Sequence, residues 1–277
     1  MIIFSILIAN YNNGKYFKEC YDSLISQTYK NWEVIIIDDA STDNSVEIIK
    51  SLIQDDSRFN LYHNPINKGC GFTKAACMKY ANGDLCAYLD PDDALYPEAL
   101  EKTAQEFVDR NDLAAVYSQM MLCDENLTPE RVYAGTKQIY NNRHFFNCPI
   151  QFAHFFAFKK EIYLRTTGIN PNLKNAVDQD LYLKILEQGE AKFIKEPLYL
   201  YRLHSDGISQ DKAKQSAKES FARVIHDTMK RRGIKSINNQ TVPEVFTNSQ
   251  EIYNLIRYQT RKIHRLISKI KVTLDNI

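Results

Sequence analysis

Three carboxylates occur within four consecutive positions of the chain. In the segment LCAYLDPDDALYPEAL (residues 85–100), an apolar run ends at Asp90, Asp92 and Asp93, which crowd around Pro91. Carboxylates packed this closely repel one another and raise their own pKa values unless a cation lies among them. The segment therefore predicts a cation site. The alternative is that Asp92 and Asp93 only cap the helix that follows, because acids are favourable near a helix N-terminus.

Two further acid pairs have the same ambiguity. Asp38 and Asp39 end the apolar run WEVIIIDD, and Asp178 and Asp180 begin the amphipathic stretch VDQDLYLKIL. Each pair could do chemistry or could belong to the start of a helix, the second through capping by Asp178. For the first pair, Ser41 or Thr42 could serve as the N-cap, with Asp38 bracing the turn.

The elements that must position these acids alternate between strand and helix patterns in the first half of the chain. Apolar, β-rich runs predict strands at 2–9, 32–39, 58–64, 85–93 and 113–120. Helical apolar spacing predicts helices at 10–28, 41–53, 71–83 and 96–111. Continuous apolar strands separated by helices are typical of a mostly parallel sheet that is covered on both faces, so we expect an α/β fold.

In such sheets ligands bind beyond the carboxyl ends of the strands. The polar residues at these ends are Asn10, Tyr11, Asn12, Asp38, Asp39, Asn67 and the acid cluster at 90–93. The strand rule therefore selects most of the residues that the spacing of the acids had already marked.

The pattern changes after about residue 120. The aromatic segment 143–163 is followed by the amphipathic helix at 175–189 and a strand-like run at 191–204. Residues 210–232 predict a helix, 233–249 a polar linker and 250–272 a long final helix. Within the aromatic segment, Phe155, Phe156 and Phe158 are expected in the core.

Four segments together resemble glycosyltransferase family 2, whose members have the GT-A fold. They are SILIANYNNGKYFKECYDSLISQTYKNWEVIIIDDASTDNS, NKGCGFTKAACMKYANGDLCAYLDPDD, DQDLYLKILEQG and YRLHSDGIS, and they span roughly residues 3–210. The resemblance implies a GT-A domain at 1–210, with a nucleotide-sugar-binding half (1–120) and an acceptor-binding half (121–210), followed by a C-terminal helical extension at 211–277. It also implies transfer of a sugar from a nucleotide-sugar donor with inversion at the anomeric carbon.

The resemblance assigns the acid cluster to a divalent cation and to the donor. Asp90 and Asp92 match the family's DxD pattern, with Asp92 as direct metal ligand and Asp90 near the ribose or the metal's water. Asp93 and His204 are further candidate ligands, although a histidine on a loop is often only solvated. Oxygen ligands suit Mn²⁺ or Mg²⁺, which would neutralise the diphosphate and act as a Lewis acid on the leaving group.

The resemblance also implies which residues bind the base and the phosphates of the nucleotide-sugar. Asp39 would accept a hydrogen bond from the pyrimidine imide, and Asn10 and Tyr11 would lie beside the nucleotide. A uracil ring offers both the imide N–H and a π face, so UDP is the preferred nucleotide. Lys74 stands where the family usually has arginine and could meet the phosphates as a point charge, or could simply be a solvated lysine.

Asp178 matches the family's catalytic base, which removes a proton from the acceptor hydroxyl. Phe145, Phe146 and His154 of the aromatic segment are candidates for contact with the acceptor sugar, because the C–H faces of sugars lie well on aromatic rings. Two departures, Ala75 for the usual Asn and Val177 for the common Glu, leave an alternative open. The chain could be a catalytically inactive subunit that binds a nucleotide-sugar or serves assembly. The intact acids at 90, 92 and 178 favour an enzyme that acts on a saccharide or lipid-linked acceptor in polysaccharide or glycolipid assembly.

Composition excludes several other classes. The formal net charge of the 277-residue chain is +1, which gives no reason to expect nucleic acid as a partner. No GxGxxG follows a predicted strand, which disfavours a dinucleotide-dependent dehydrogenase. The apolar start lacks a basic n-region, and no run reaches the roughly 18 apolar residues of a membrane span. We therefore expect a cytoplasmic protein.

The tail EIYNLIRYQTRKIHRLISKIKV combines an apolar and a basic helical face. The predicted apolar face contains Ile252, Leu255, Ile256, Ile263, Leu266, Ile267 and Ile270. Such a helix can lie on an anionic membrane surface at the inner face of the membrane, pair with a second subunit as a homodimer, or pack on its own domain.

Overall fold

The computed structural model describes residues 2–108, 110, 112–205, 214–261, 266–267 and 270–271. The strands of the main sheet are β1 Phe4–Asn10, β2 Trp32–Asp38, β3 Phe59–His63, β4 Leu85–Tyr88, β5 Ala94–Leu95, β6 Leu113–Cys123, β7 Pro129–Val132, β8 Phe156–Lys159 and β9 Glu190–Arg202. The α-helices are α1 Phe17–Ile25, α2 Ser45–Ile53, α3 Cys70–Tyr80, α4 Ala99–Val108, α5 Lys160–Leu164, α6 Val177–Leu186, α7 Lys214–Arg231 and α8 Ser249–Ile256.

The main sheet has the order β3-β2-β1-β4-β8-β6-β9-β5, with β7 at the side of β6. Strands β3, β2, β1 and β4 are parallel, as are β6 and β9, whereas β8 is antiparallel to both of its neighbours. The predicted α/β class and its five first-half strands are confirmed. The antiparallel strand in the middle of the sheet was not predicted.

Helices cover both faces of the sheet, because the buried side chains of each strand alternate between two cores. Ile6 and Ile8 of β1 pack in one core with α1, α2 and α4. Leu7, between them, packs in the other core with α3, α5 and α6. Apolar residues at nearly every strand position are what such a doubly covered sheet requires.

The register places the predicted strand-end residues at one edge. Asn10 is opposite Asp38 in the β1–β2 pair, and Asp38 is opposite His63 in the β2–β3 pair. On the other side, the short strand β5, which follows the acid cluster directly, pairs with the end of β9 through Ala94 and Leu200. This pairing brings the residues after β9 next to Asp92 and Asp93.

The end of the chain differs from the prediction. The segment expected to be a linker contains a hairpin, β10 Ser236–Ile237 and β11 Gln240–Thr241. The expected long helix is interrupted: α8 ends at Ile256, a 3₁₀ turn follows at Arg257–Thr260, and Arg261 is extended. The described residues 266–267 and 270–271 are helical again. The polar composition hid the hairpin, and apolar periodicity alone did not reveal the break.

The predicted apolar face of the tail is consequently divided. Ile252, Leu255 and Ile256 pack in a third core with α7 and the hairpin. Leu266, Ile267 and Ile270 are exposed, and Ile263 lies outside the described residues, as does the proposed domain boundary at 210. Among the described helices, none combines the length and the apolar character that a bilayer span requires.

The aromatic segment also has a different division from the one expected. Phe155, Phe156 and Phe158 are buried in the sheet's two cores, as predicted. Phe145 and Phe146, predicted for an acceptor site, are buried as well, Phe146 in the third core beneath α7 and α8. A sequence-based choice between surface and core failed here because the covering helices come from the C-terminal extension.

Candidate functional site

The site is centred on a buried lysine. Lys74 lies on α3 with only 3% of its surface exposed, and its Nζ is 2.9 Å from Asp90 Oδ1 and 2.8 Å from Asp178 Oδ1. The reading of Lys74 as a solvated helix lysine is therefore wrong. A single ammonium joins the acid after β4 to the acid on α6, so two of the predicted site residues meet through a third.

These charges shift one another's protonation. Burial alone would lower the pKa of Lys74, but the carboxylates of Asp178 and Asp90 outweigh it and raise that pKa well above its usual value. Burial would likewise raise the pKa of Asp178, but Lys74 and then His154 lower it below the ordinary range. The lysine is therefore an ammonium and Asp178 a carboxylate at neutral pH.

One close approach fixes α3 against the segment that leads into α6. The N–H of Gly71, in the first turn of α3, donates to the Leu173 carbonyl at 3.0 Å. A Cβ at Gly71 would lie 2.4 Å from that carbonyl oxygen, so only glycine permits the contact. The contact sets the distance between the helices that carry Lys74 and Asp178.

Asp178 and Asp180 occupy the first turn of α6 but have different partners. Successive helical positions are 100° apart, so residues two positions apart point in nearly opposite directions. Asp178 faces Lys74, whereas Asp180 is buried, pairs with Lys184 at 2.8 Å and accepts the N–H of Asn170. The N-cap is Ala176, so the reading of Asp178 as a capping residue is wrong.

Asp92 lies beside His204. The Nε2 of His204 is 2.8 Å from Asp92 Oδ2, and its Nδ1 is 3.2 Å from the hydroxyl of Tyr16. His204 is buried, so it is not a solvated loop histidine. Tyr16, in the 3₁₀ turn Gly14–Tyr16, fixes the histidine that orients Asp92, and the sequence analysis did not identify it.

Asp93 has a different environment. Its Oδ2 accepts the Tyr199 hydroxyl at 2.7 Å and its Oδ1 accepts the Arg202 backbone N–H at 2.8 Å. Burial, followed by the charges of Asp92 and Asp90, raises its pKa well above the usual value. Both oxygens bind the β9 segment, so Asp93 holds the β5–β9 junction, and its predicted metal role stays a prediction.

The acid cluster does not cap a helix. The next helix, α4, begins at Ala99, six residues after Asp93, with β5 in between. The capping alternative for Asp92 and Asp93 is therefore wrong. Arg202, at the end of β9, donates to the backbone carbonyls of Asp92 and Glu125.

Asp39 organises the loop between β3 and α3. It is buried, its Oδ1 accepts the side-chain amide of Asn64 and the backbone N–H of Lys68, and its Oδ2 accepts the N–H of Gly69 at 2.7 Å. Gly69 has a φ of 87°, the left-handed region that favours glycine. Asp39 thus shapes the loop at the predicted nucleotide edge, and its base-reading role stays a prediction.

The β1 and β2 loops are tied together beside it. Asp38 Oδ1 accepts the Asn10 amide at 2.8 Å and the Ser41 hydroxyl at 2.5 Å, so Asp38 braces the turn as predicted. Ser41 is consequently not the α2 cap, which is Asn44. Asn10 is buried in this network, whereas 43% of Tyr11 is exposed at the same edge, where a base could stack on it.

His154 was predicted only for acceptor contact, but the structure places it beside Asp90 and Asp178. Ligand atoms of Asp90, His154 and Asp178 all lie within 4.8 Å of one another. The His154 ring stacks on Tyr199, with centroids 5.0 Å apart, and its Nδ1 is 3.4 Å from the Tyr182 hydroxyl. Tyr182 and Tyr199 were missed because their apolar neighbours made them typical core aromatics.

The residues present fit a divalent cation near Asp92 better than one held by the triad of Asp90, His154 and Asp178. The ammonium of Lys74 already contacts both carboxylates of the triad, so a metal ion there would have to displace it. Asp92 lines the same cavity and is held by His204, and it offers the hard oxygen ligand that Mg²⁺ and Mn²⁺ prefer.

One cavity brings most of these groups together. It is lined by Lys74, Asp90, Asp92, Asp93, Asp178 and His204, together with residues of α7 and of the segment before α6. Asn10, Tyr11 and Asp39 are not part of this lining and lie along the neighbouring strand ends. The predicted residues therefore form a charged cavity with an adjoining nucleotide edge.

Known proteins are similar to this chain in sequence. The hyaluronan synthase of Pasteurella multocida is 32% identical over 254 residues, which are 90% of this chain and 25% of that protein. The chondroitin synthase of Escherichia coli is 32% identical over 231 residues, 83% of this chain and 33% of that protein. The chain thus spans between a quarter and a third of the length of these relatives.

Solved structures show the fold independently. TarS 1-349 of S. aureus in complex with UDP-GlcNAc has a TM-score of 0.67 at 16% identity and covers 92% of this chain and 70% of that one. The mannosyltransferase PcManGT from Pyrobaculum calidifontis in complex with GDP-Man and Mn²⁺ has a TM-score of 0.58 at 16% identity and covers 93% and 69%. These likenesses confirm the GT-A-type α/β fold.

The family model described as glycosyl transferase family 2 matches residues 5–166, more than half of the chain and including the acid cluster after β4. With the fold and the charged cavity as described, the chain belongs to glycosyl transferase family 2.

Proposed function

We propose that the chain is an inverting, metal-dependent glycosyltransferase that transfers a sugar from a nucleotide-sugar, preferably a UDP-sugar, to a saccharide or lipid-linked acceptor. The observation that carries this proposal is the common cavity of Asp178, Asp90 and Asp92. A base for the acceptor and carboxylates for the donor must lie on either side of one reacting carbon, and here they line one space.

The donor half of the reaction uses Asp92, Asp90 and Lys74. When bound at Asp92, with His204 and Asp93 beside it, Mn²⁺ or Mg²⁺ would neutralise the diphosphate and stabilise the leaving group. Lys74 would supply a positive charge to a phosphate, and Asp90 would meet the ribose or the metal's water. Asn10, Tyr11 and Asp39 would receive the nucleotide base at the neighbouring strand ends.

The acceptor half uses Asp178. Its carboxylate takes the proton of the acceptor hydroxyl while that oxygen forms the bond to the anomeric carbon. The bond from this carbon to the diphosphate breaks, its electron pair goes to the phosphate oxygen, and the configuration inverts. His154, whose Nε2 is 3.9 Å from Asp178 Oδ2, lies where it can contact the incoming hydroxyl.

Relatives support the polysaccharide assignment. Two relatives are a hyaluronan synthase and a chondroitin synthase, and a structural neighbour is in complex with UDP-GlcNAc. We therefore propose a role in polysaccharide or glycolipid assembly. The exposed Leu266, Ile267 and Ile270 leave peripheral contact with the inner face of the membrane, or a homodimer, as the proposed arrangement of the tail.

The test is turnover of a panel of nucleotide-sugars with and without Mn²⁺, first with water and then with short oligosaccharides as acceptors. The proposal expects metal-dependent release of UDP from at least one donor and a β product from an α-linked donor. Donor binding without any release would favour the inactive binding subunit, and absence of nucleotide binding would contradict both.

A further inference from the structure

The lysine at the centre of the cavity has two sets of anions that compete for it. Before the donor arrives, its Nζ is within 3 Å of both Asp90 and Asp178. The donor adds a diphosphate to the same space. Of the other basic residues that line the cavity, Lys174 is exposed, and Arg202 is buried with its Nε and Nη1 donating to backbone carbonyls. Lys74 is the buried cation that forms its ion pairs with the two site carboxylates, Asp90 and Asp178.

On the proposed function as its basis, we propose that Lys74 couples donor binding to the base. Its ammonium pairs with Asp178 before the donor binds and moves to a donor phosphate afterwards, which frees Asp178 to accept the proton of the acceptor hydroxyl. In this role Lys74 is a positioning residue for Asp178 as well as a ligand of the nucleotide-sugar.

The side chain suits such a transfer. Lysine carries a compact charge on a flexible four-carbon stem with three donors, so it can exchange one anion for another by small rotations. Its backbone stays fixed, because the Lys74 carbonyl accepts the Tyr88 hydroxyl at 2.6 Å and α3 is held through Gly71. Only the end of the side chain has to move.

The transfer changes the chemistry of Asp178. A carboxylate that is paired with an ammonium is a weak base, because the pair stabilises the charged form. The groups that face it are Lys74 and Cys70 on α3, Asp90 after β4, His154 before β8 and Tyr182 on α6. Once Lys74 leaves, the Asp178 carboxylate loses the group that lowers its pKa most, and its proton affinity rises toward that of a working base.

A second buried lysine in the same region provides the matched control. Lys184 on α6 binds Asp180 Oδ2 at 2.8 Å and the Gly168 carbonyl at 2.7 Å, and it does not line the cavity. Its partners are all scaffold groups, so no ligand competes for it. Lys184→Met therefore removes a comparable ion pair without touching donor or base.

The direct test is a crystal structure of the full chain grown with UDP and Mn²⁺, beside one grown without them. The expected result is an Nζ at about 3 Å from a phosphate oxygen and beyond hydrogen-bond distance of Asp178. Bound UDP with Nζ still on Asp178 overturns the coupling but leaves the proposed function intact. A cavity that does not accept UDP overturns both.

Kinetics provide a second test that does not depend on crystals. Lys74→Met should raise the KM for the donor about 10- to 100-fold, as expected for a lost charged hydrogen bond, and Lys74→Arg should recover much of it. In Lys74→Met, the acid limb of the pH profile of kcat/KM for the donor should move to higher pH, because the free enzyme loses the cation that keeps Asp178 ionised. The acid limb of kcat should stay in place, because Lys74 has already left Asp178 in the donor complex.

Lys184→Met should leave the donor KM and both limbs unchanged while lowering the melting temperature. The coupling is overturned if Lys74→Met leaves the donor KM unchanged, or if its kcat limb moves together with its kcat/KM limb. The second outcome would mean that Lys74 stays on Asp178 throughout the reaction.

Discussion

Two lysine–aspartate pairs share helix α6, each with a buried lysine, and differ in what surrounds them. Asp178 meets Lys74 in a cavity open to ligands, and Asp180, two positions later, meets Lys184 among backbone groups. Both pairs have Nζ–Oδ distances of 2.8 Å, so geometry alone does not distinguish a functional pair from a structural one. The distinguishing feature is whether another anion can reach the lysine.

The comparison also separates activity from stability. Breaking a buried ion pair leaves an uncompensated charge, and the protein loses stability unless a second partner remains. Lys74 keeps Asp90 when Asp178 is removed, whereas Lys184 keeps only the Gly168 carbonyl when Asp180 is removed. Substitutions in the Lys74–Asp178 pair are therefore expected to impair catalysis and to cost little stability. Substitutions in the Lys184–Asp180 pair are expected to cost stability and to impair catalysis little.

The largest expected effect is on turnover when the base is removed. Asp178→Asn should lower kcat about 10²- to 10⁴-fold, the usual contribution of a general base, with UDP binding retained. Asp180→Asn is the control on the same helix and should keep most of its kcat per folded molecule. Product release by radiolabelled sugar transfer measures both. Equal losses in the two variants would show that the site depends on α6 as a whole rather than on Asp178.

The next effect concerns stability and should reverse the order of the two pairs. Lys184→Met leaves Asp180 buried without its cation and should lower the free energy of unfolding by about 3–5 kcal/mol. Urea denaturation followed by circular dichroism measures this loss. Asp178→Asn should cost clearly less, because Lys74 retains Asp90. A greater loss in Asp178→Asn would contradict the assignment of the scaffold role to Lys184.

A smaller effect is expected at the residue that orients Asp92. His204→Gln removes the ring nitrogen that is 2.8 Å from Asp92 Oδ2, and it should weaken Mn²⁺-dependent UDP binding about 10- to 100-fold. Calorimetric titration measures the affinity. His226→Gln, in the C-terminal core, serves as the histidine control. Unchanged affinity in His204→Gln would remove His204 from the proposed metal site.

The smallest effect tests the chain of contacts behind that histidine. Tyr16→Phe removes only the hydroxyl 3.2 Å from His204 Nδ1, so UDP affinity should fall less than about tenfold. The loss should disappear in the His204→Gln background, because the hydroxyl acts through the ring. Additive losses in the double variant would indicate that Tyr16 contacts the ligand itself.

The sequence allowed prediction of the parallel half of the fold and of the groups in the cavity, for a physical reason. Strand ends in a parallel sheet meet at one edge, so residues such as Asp38 and Asp90, 52 positions apart in the chain, can be placed together without knowledge of the rest. Local apolar patterns determined the strands, and the strands determined the edge.

The contacts that were not predicted depend on long-range packing. The position of Lys74 between two acids requires the spacing of α3 and α6, which Gly71 and the segment at 170–173 establish. His204 reaches Asp92 because β5 pairs with β9. The burial of Phe146 requires helices more than 70 residues later. No local pattern carries that information.

The most direct test of the account is UDP binding with and without Mn²⁺ to the unmodified chain and to Asp92→Asn, measured by calorimetry. Asp112→Asn, an exposed aspartate paired with Arg110, is the control for the loss of one carboxylate. The account predicts that UDP binds tightly only with the metal, that Asp92→Asn loses at least about tenfold in affinity, and that Asp112→Asn loses none. Unchanged, equally metal-dependent binding to Asp92→Asn would contradict it.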